Sequence, residues 1–397
     1  MEKLLRPDIQ QRLKRFQSGL ASHDLDGALL FQNVDLYYFT GTIQSSILFI
    51  PAQGHPILMV QKGLKRVQEE SPIQNIVSLN GKNHLAGTLR DFGIQRMERV
   101  GIELDVLPAH LYVWLAESFP QSRFEDVSGL IRRQRMIKSP YETAQVKKAA
   151  AVLHQGYMEV QEFIKEGVSE LEIDGRLAFI ARREGHMGIL RMRGWNQEMT
   201  YAHVLSGDSG SVVSFLNSPH GGSGNTPAMA QGASFRRIRK NEPIGIDYGV
   251  GINGYLADQF RTFVIGDLPP DLQRAHECSK EIHHLFAREA RPGVSCARLY
   301  AMAKDSARES GLEEYFMGHG EGQVRFIGHG LGLEIDELPV IAPSFDEGLA
   351  PGMIIAFEPK FVFPGKGVVG MEDDYEVTSS GVERLTLTEQ ELIRLKP

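Results

Sequence analysis

Hydrophobic positions along the first third of the chain alternate between two periods. Ile9, Leu13, Phe16 and Leu20 recur at helical spacing between residues 8 and 23. Apolar runs of strand length follow at 27–31, 46–51, 56–60 and 100–104, with helical segments near 62–70 and 108–118. This alternation predicts an α/β domain, and no catalytic constellation falls within it. The basic stretch 132–138 then runs into Ser139-Pro140-Tyr141-Glu142, a capping box in which the serine hydroxyl and the glutamate each satisfy a free amide of the first turn. Pro140 suits the first helical position, where its missing N–H loses nothing. A domain boundary is therefore placed at 138, dividing the chain into 1–138 and 139–397. Ser169-Glu170-Leu171-Glu172 repeats the capping signature and opens a helix stopped at Gly185.

Beyond the boundary the order helix, helix, strands occurs twice. Helices at 141–165 and 170–184 precede a strand-rich stretch to about 265; helices at about 271–291 and 295–310 precede another to about 378. The duplicated order suggests two similar halves around one curved antiparallel sheet. The fold class is thus α+β, with a smaller α/β domain in front.

Composition narrows the function. The 43 Lys+Arg against 50 Asp+Glu give a net charge of −7, with a pI of about 6.0. That balance argues against nucleic acid or an anionic membrane as the partner, since both call for clustered positive charge. No apolar run approaches the ~20 residues of a membrane helix. The opening Met-Glu-Lys-Leu-Leu-Arg-Pro-Asp lacks the pattern of a signal peptide. With Cys278 and Cys296 the only cysteines, neither a disulfide framework nor a cysteine-ligated zinc site is expected. The expected location is the cytoplasm.

Chemistry concentrates in the second domain. Asp247 closes the apolar strand 243–247 and Asp258 lies in a second strand, 255–263. The linking Gly249-Val250-Gly251-Ile252-Asn253-Gly254 matches GxGxxG formally, but β-branched and aromatic residues follow it at strand spacing instead of a helix. It therefore reads as a hairpin turn, not a dinucleotide site. A second pair repeats the design: Glu358 ends the strand 352–358 and Glu372 follows the turn Pro364-Gly365-Lys366-Gly367. Taken singly, each acid reads as an edge residue facing water. Four on two hairpins, each placed in or beside an apolar strand, call for pairing or a cation. His329, between Gly328 and Gly330, lies in a backbone able to approach something closely. Four clustered carboxylates would repel and take up protons, whereas two divalent cations cancel their charge. Oxygen donors with one nitrogen suit Mn, Co, Fe or Zn, and two ions ~3.5–4 Å apart activate water and polarise a carbonyl.

The strings Ile246-Asp247-Tyr248-Gly249, Asp258-Gln259-Phe260-Arg261-Thr262-Phe263, Gly328-His329-Gly330-Leu331-Gly332-Leu333, Phe357-Glu358-Pro359 and Met371-Glu372-Asp373 resemble the pita-bread metallopeptidases, the family of aminopeptidase P, Xaa-Pro dipeptidase and methionine aminopeptidase. The first third is similar to the creatinase-type domain of the proline-specific branch, and Arg135-Met136-Ile137-Lys138-Ser139-Pro140 to its junction. The resemblance implies a pseudo-twofold antiparallel sheet flanked by helices, and a homodimer. It also implies that Asp247 binds one metal, His329 the other, and that Asp258 and Glu372 bridge both. Glu358 would bind the second metal and act as catalytic base.

Departures fall around this set. Arg325 and Asp336 stand where the family has histidines, Ser214 where it has a Pro-His pair, and Gly370 where it has an arginine. Arg325, Asp336 and Ser214 are taken as candidate substrate-binding residues, the first two alternatively as an ion pair with each other. His203, His220 and His319 are possible replacements for the missing groups, but each reads first as an incidental loop histidine. The expected activity is dinuclear metal-dependent hydrolysis of an amide bond in a small peptide, most like an Xaa-Pro aminopeptidase or dipeptidase. The alternatives are a non-peptide C–N substrate, as in creatinase, or a catalytically weak metal-binding protein.

Overall fold

The computed structural model describes residues 6–200 and 202–396, so the first five residues of the opening read for a signal peptide lie outside it. By contacts the chain divides into two units, Met1–Arg135 with Arg193–Asn196, and Met136–Met192 with Gln197–Pro397.

The first unit runs α1 (Arg6–Ser22), β1 (Gly27–Leu30), α2 (Asn33–Thr40), β2 (Ser46–Pro51), β3 (Ile57–Val60), α3 (Leu64–Glu70) and β4 (Asn75–Ser78). It continues through α4 (Leu85–Asp91), β5 (Arg99–Ile102), α5 (Ala109–Ser118), β6 (Arg123–Asp126) and α6 (Ser128–Met136). The strands form one mixed sheet in the order β4-β3-β2-β1-β5-β6. Strands β1, β2 and β3 are buried along their whole length, which is why they read as continuous apolar runs. Leu29, Phe49, Met59, Val100, Ile102 and Leu115 form much of one core, and α1 buries the stripe Ile9, Leu13, Phe16, Leu20. The pattern gave no sign of α2, β4, α4 or β6. Edge strand β6, Arg-Phe-Glu-Asp, has no fully buried residue, and the short α2 buries residues almost all round, so neither carries a clear period.

The second unit opens with α7 (Pro140–Val160) and α8 (Glu170–Arg183). Both capping boxes form: the Glu142 carboxylate accepts from the Ser139 amide at 2.9 Å and the Glu172 carboxylate from the Ser169 amide at 2.8 Å. Strands β7 (Ala202–Ser206), β8 (Ile244–Ile252) and β9 (Tyr255–Ile265) follow, then α9 (Pro270–Glu289) and α10 (Cys296–Glu309). The remaining strands are β10 (Gly328–Gly330), β11 (Glu337–Val340), β12 (Ile354–Phe357), β13 (Lys360–Phe363), β14 (Gly367–Gly370), β15 (Asp373–Val377), β16 (Val382–Arg384) and β17 (Ile393–Leu395). The orders are β17-β9-β8-β7, β11-β10-β12-β15-β16 and the pair β13-β14. Except for the parallel β17–β9 contact, these ladders are antiparallel. Helix pair and strands thus occur twice. The GxGxxG match is a tight hairpin: Asn253 and Gly254, both at positive φ (51° and 91°), join β8 to β9, as a primed two-residue turn requires.

Candidate metal centre

Strand register sets five side chains on one face. In the β8–β9 ladder Asp247 lies opposite Phe260, and Asp258, two residues before Phe260, projects to the same side. One register runs through the other half: Phe357 pairs with Asp373 and Lys360 with Gly370. Glu358 and Glu372, between those pairs, therefore stand opposite each other. Strand β10 sets His329 beside Ala356, two residues before Glu358. A Cβ on Gly328 would lie 2.6 Å from the Ala356 carbonyl oxygen, so glycine before the histidine lets these strands approach. The halves join where Arg261 bridges to Met371 and the Glu372 amide donates to the Phe260 carbonyl at 3.1 Å.

Two sides of the resulting cage differ. On one, Asp258, His329 and Glu372 each offer a ligand atom, all within 4.8 Å of one another. Nδ1 of His329 lies 3.0 Å from the Gly330 carbonyl and so carries its proton there, which presents Nε2 to the acids. Nε2 stands 3.8 Å from Glu358 and 4.0 Å from Glu372. Burial would lower the His329 pKa, but Asp336, Glu358 and Glu372 raise it to about 9. Burial raises Glu372 to about 8, against the Lys360 ammonium, with Glu358 and Asp247 adding to the rise. Asp258 is pushed well up by burial and by Glu372, Asp247 and Asp374. On this side burial and mutual repulsion push the acids toward their neutral forms, the state from which an added cation would draw the protons off.

On the other side the cation is already present. Lys360, 1% exposed, places Nζ 2.7 Å from Glu372, 2.8 Å from Glu358 and 3.1 Å from Asp247. Burial would lower its pKa, but those three carboxylates hold it well above the ordinary lysine value. Nε2 of the buried His220 lies 2.9 Å from the same Asp247 oxygen, and His203 sits opposite Asp247 in register on β7. Burial raises Asp247, yet Lys360 and His220 outweigh it and hold the acid well below the carboxylate range. Burial lowers His203 to about 4.

Packing behind the cage is polar. Tyr157 donates its hydroxyl to the Ile246 carbonyl at 2.9 Å and also contacts the Gln259 carbonyl. Arg261 donates to the Glu372 carbonyl at 2.8 Å and the Asp373 carboxylate at 2.7 Å. Asp374 accepts from the Asp258 amide at 3.0 Å.

The other sequence candidates lie apart from one another. Asp336, half exposed, has an oxygen 3.5 Å from His329 Nδ1. Arg325 is exposed and lines a cleft of about 460 Å³ with Lys304, Glu313 and His319, whose lining includes none of the five. Among the described residues no ion pair joins Arg325 to Asp336. The Ser214 hydroxyl accepts from the Leu216 amide at 3.2 Å, and it is His220, later in the same loop, that reaches Asp247.

Sequence reading missed Lys360, and it set His220 and His203 aside as incidental although both sit beside Asp247. A lysine opening the run Lys360-Phe361-Val362-Phe363, two residues after Glu358, was the available signal, since i and i+2 share a face. His220 had none, because a loop places it. The donor set of Asp258, His329 and Glu372 fits one divalent ion of the Mn, Co, Fe or Zn type. Beside Lys360, one oxygen each of Asp247, Glu358 and Glu372 already accepts from the ammonium, so a second ion there would compete with it.

Residues 144–379 match metallopeptidase family M24, and residues 12–137 match the creatinase/prolidase N-terminal domain. The Xaa-Pro dipeptidase of Pyrococcus furiosus is 25% identical over 391 residues, 97% of this chain and 100% of that protein. Among solved structures, an Xaa-Pro dipeptidase from Bacillus anthracis superposes with a TM-score of 0.84 at 26% identity, covering 98% of this chain and 100% of the other. A prolidase from Pyrococcus horikoshii gives 0.81 at 25% identity, covering 96% and 100%. The chain therefore belongs to metallopeptidase family M24, in the proline-specific branch of the pita-bread fold that carries a creatinase/prolidase N-terminal domain, and it is a peptidase-family enzyme.

Proposed function

We propose that the protein hydrolyses the amide bond of a small Xaa-Pro peptide at the cage of the second unit. The supporting observation is the convergence of Asp247, Asp258, His329, Glu358 and Glu372 on one face, with a ligand atom from each of Asp258, His329 and Glu372 within 4.8 Å of the other two. A divalent ion held by Asp258, His329 and Glu372 would polarise the scissile carbonyl and make water more acidic. Glu358 acts as the general base. One of its oxygens accepts from Lys360 at 2.8 Å, which fixes the carboxylate, while the other faces His329 at 3.8 Å and is placed to take a proton from the attacking water. The His329 tautomer is set by Gly330. Asp336, beside His329 at the exposed rim, is placed to meet the substrate.

Incubating the Mn- or Co-loaded protein with Xaa-Pro dipeptides and Xaa-Pro-Xaa tripeptides tests this reading. Release of proline from the former marks a dipeptidase, release of the first residue from the latter an aminopeptidase. No release from either, with an active control enzyme alongside, overturns the peptide substrate. It would favour a non-peptide C–N substrate, the reading that Gly370 and Arg325 support by departing from the family's arginine and histidine. The same reading assigns a homodimer, checked by light scattering, and a cytoplasmic setting. No described helix is long and apolar enough to cross a membrane.

A further inference from the structure

We propose that Lys360 is a built-in cation that stands in for one of the two metal ions expected of this cage, leaving a single divalent site at Asp258, His329 and Glu372. This rests on the metal-dependent reading above and changes its metal count. Three observations carry it. Nζ of Lys360 lies 2.7, 2.8 and 3.1 Å from Glu372, Glu358 and Asp247, three of the four acids that two ions would share, and the side chain is 1% exposed. His220 Nε2 lies 2.9 Å from the Asp247 oxygen that also accepts from Lys360, so that oxygen already faces the chain's own cation. The opposite strand passes close to the lysine. Its register partner is Gly370, at φ 149°, where a Cβ would lie 2.6 Å from the Pro359 carbonyl oxygen, 2.9 Å from Lys360 Cα and 3.3 Å from its Cγ. The Phe260 ring lies 5.0 Å from Nζ on another side.

Charge agrees with geometry. One ammonium and one divalent ion leave the four carboxylates with a single net negative charge. A second divalent ion would make the cage positive and set two metals beside a buried ammonium.

The test is metal stoichiometry, independent of turnover. Apo protein is dialysed against Mn²⁺ or Co²⁺ and analysed for bound metal, and the Co²⁺ form is examined by EPR. Wild type should hold one ion per chain with an uncoupled spectrum, and Lys360→Ala should hold two with spin coupling. Should Lys360→Ala not fold, the wild-type count and spectrum still decide. Two ions or a coupled spectrum in wild type overturns the proposal, as does one ion in folded Lys360→Ala. Failure of the function reading is separate: one ion in wild type without peptide cleavage leaves Lys360 in its role and removes the substrate. No bound ion removes both.

Discussion

Each unit buries a cluster of charges, and the two clusters are balanced differently. In the first unit Asp35 accepts from Arg135 and from Arg193, each at 2.8 Å, and Arg193 grips Asp105 at 2.6 and 2.9 Å. The third acid, Glu103, is fully buried, accepts from the Phe31 amide at 2.7 Å, and is pushed well above the carboxylate range by burial and by Asp35. Two guanidiniums thus face two carboxylates, and burial with Asp35 favours the neutral form of the extra acid. In the second unit four acids face one lysine. A buried charge costs several kcal/mol unless compensated, so the first cluster is balanced within itself, whereas the second retains an electrostatic demand that bound protons or an added cation must meet. Sign imbalance, more than burial of charge, separates a binding site from a structural brace.

Removing a ligand should break that contrast most strongly. Asp258→Asn deletes one of the two carboxylate charges in the three-ligand set and is expected to abolish bound metal and lower kcat/KM by about 10³-fold or more, or ~4 kcal/mol of barrier. Metal analysis beside steady-state kinetics checks it, and unchanged turnover would remove Asp258 from the site. In the first unit Asp35→Ala leaves Arg135 and Arg193 without their shared acid. It should reduce unfolding free energy by about 3–5 kcal/mol in urea melts, while metal stoichiometry stays as in wild type.

Metal itself gives the next contrast. Mn²⁺ at 100 times its Kd should stabilise the chain by about 2.7 kcal/mol, seen as a higher Tm that chelator reverses. Asp35→Ala should keep that shift and Asp258→Asn should lose it. The smallest expected effect concerns Glu103. Its folded pKa lies above the unfolded value of 4.5, so the folded state holds the proton more tightly. Stability is full below about 4.5 and is lost as pH rises through the folded pKa, at up to about 1.4 kcal/mol per unit. Glu103→Gln keeps the acceptor for Phe31 and should flatten this alkaline limb in denaturant melts between pH 5 and 8. An unchanged slope would assign the loss to another group.

The same contrast explains how much could be read beforehand. Asp247, Asp258, Glu358, Glu372 and His329 stood out because each interrupts an apolar strand or sits between glycines, where a polar group needs a reason. The repeated helix–helix–strand order and the two capping boxes followed from periodicity and local chemistry, as did rejection of the dinucleotide reading at Asn253-Gly254. The Asp35 cluster was invisible, since Asp35, Glu103, Arg135 and Arg193 lie on four separate segments.

By itself, then, the sequence determined the domain order, the strands and the acids that line one face, because period and register act over a few residues. Tertiary structure decided which cation each acid meets. Asp247 has the same sequence context whether its partner is a metal or an ammonium, and only the packing of β13 against β14, with His220 brought in by a loop, sets Lys360 among three carboxylates. Electrostatic balance is a sum over neighbours in space, and neighbours 113 residues apart along the chain, as Lys360 and Asp247 are, become a pair only when the fold closes.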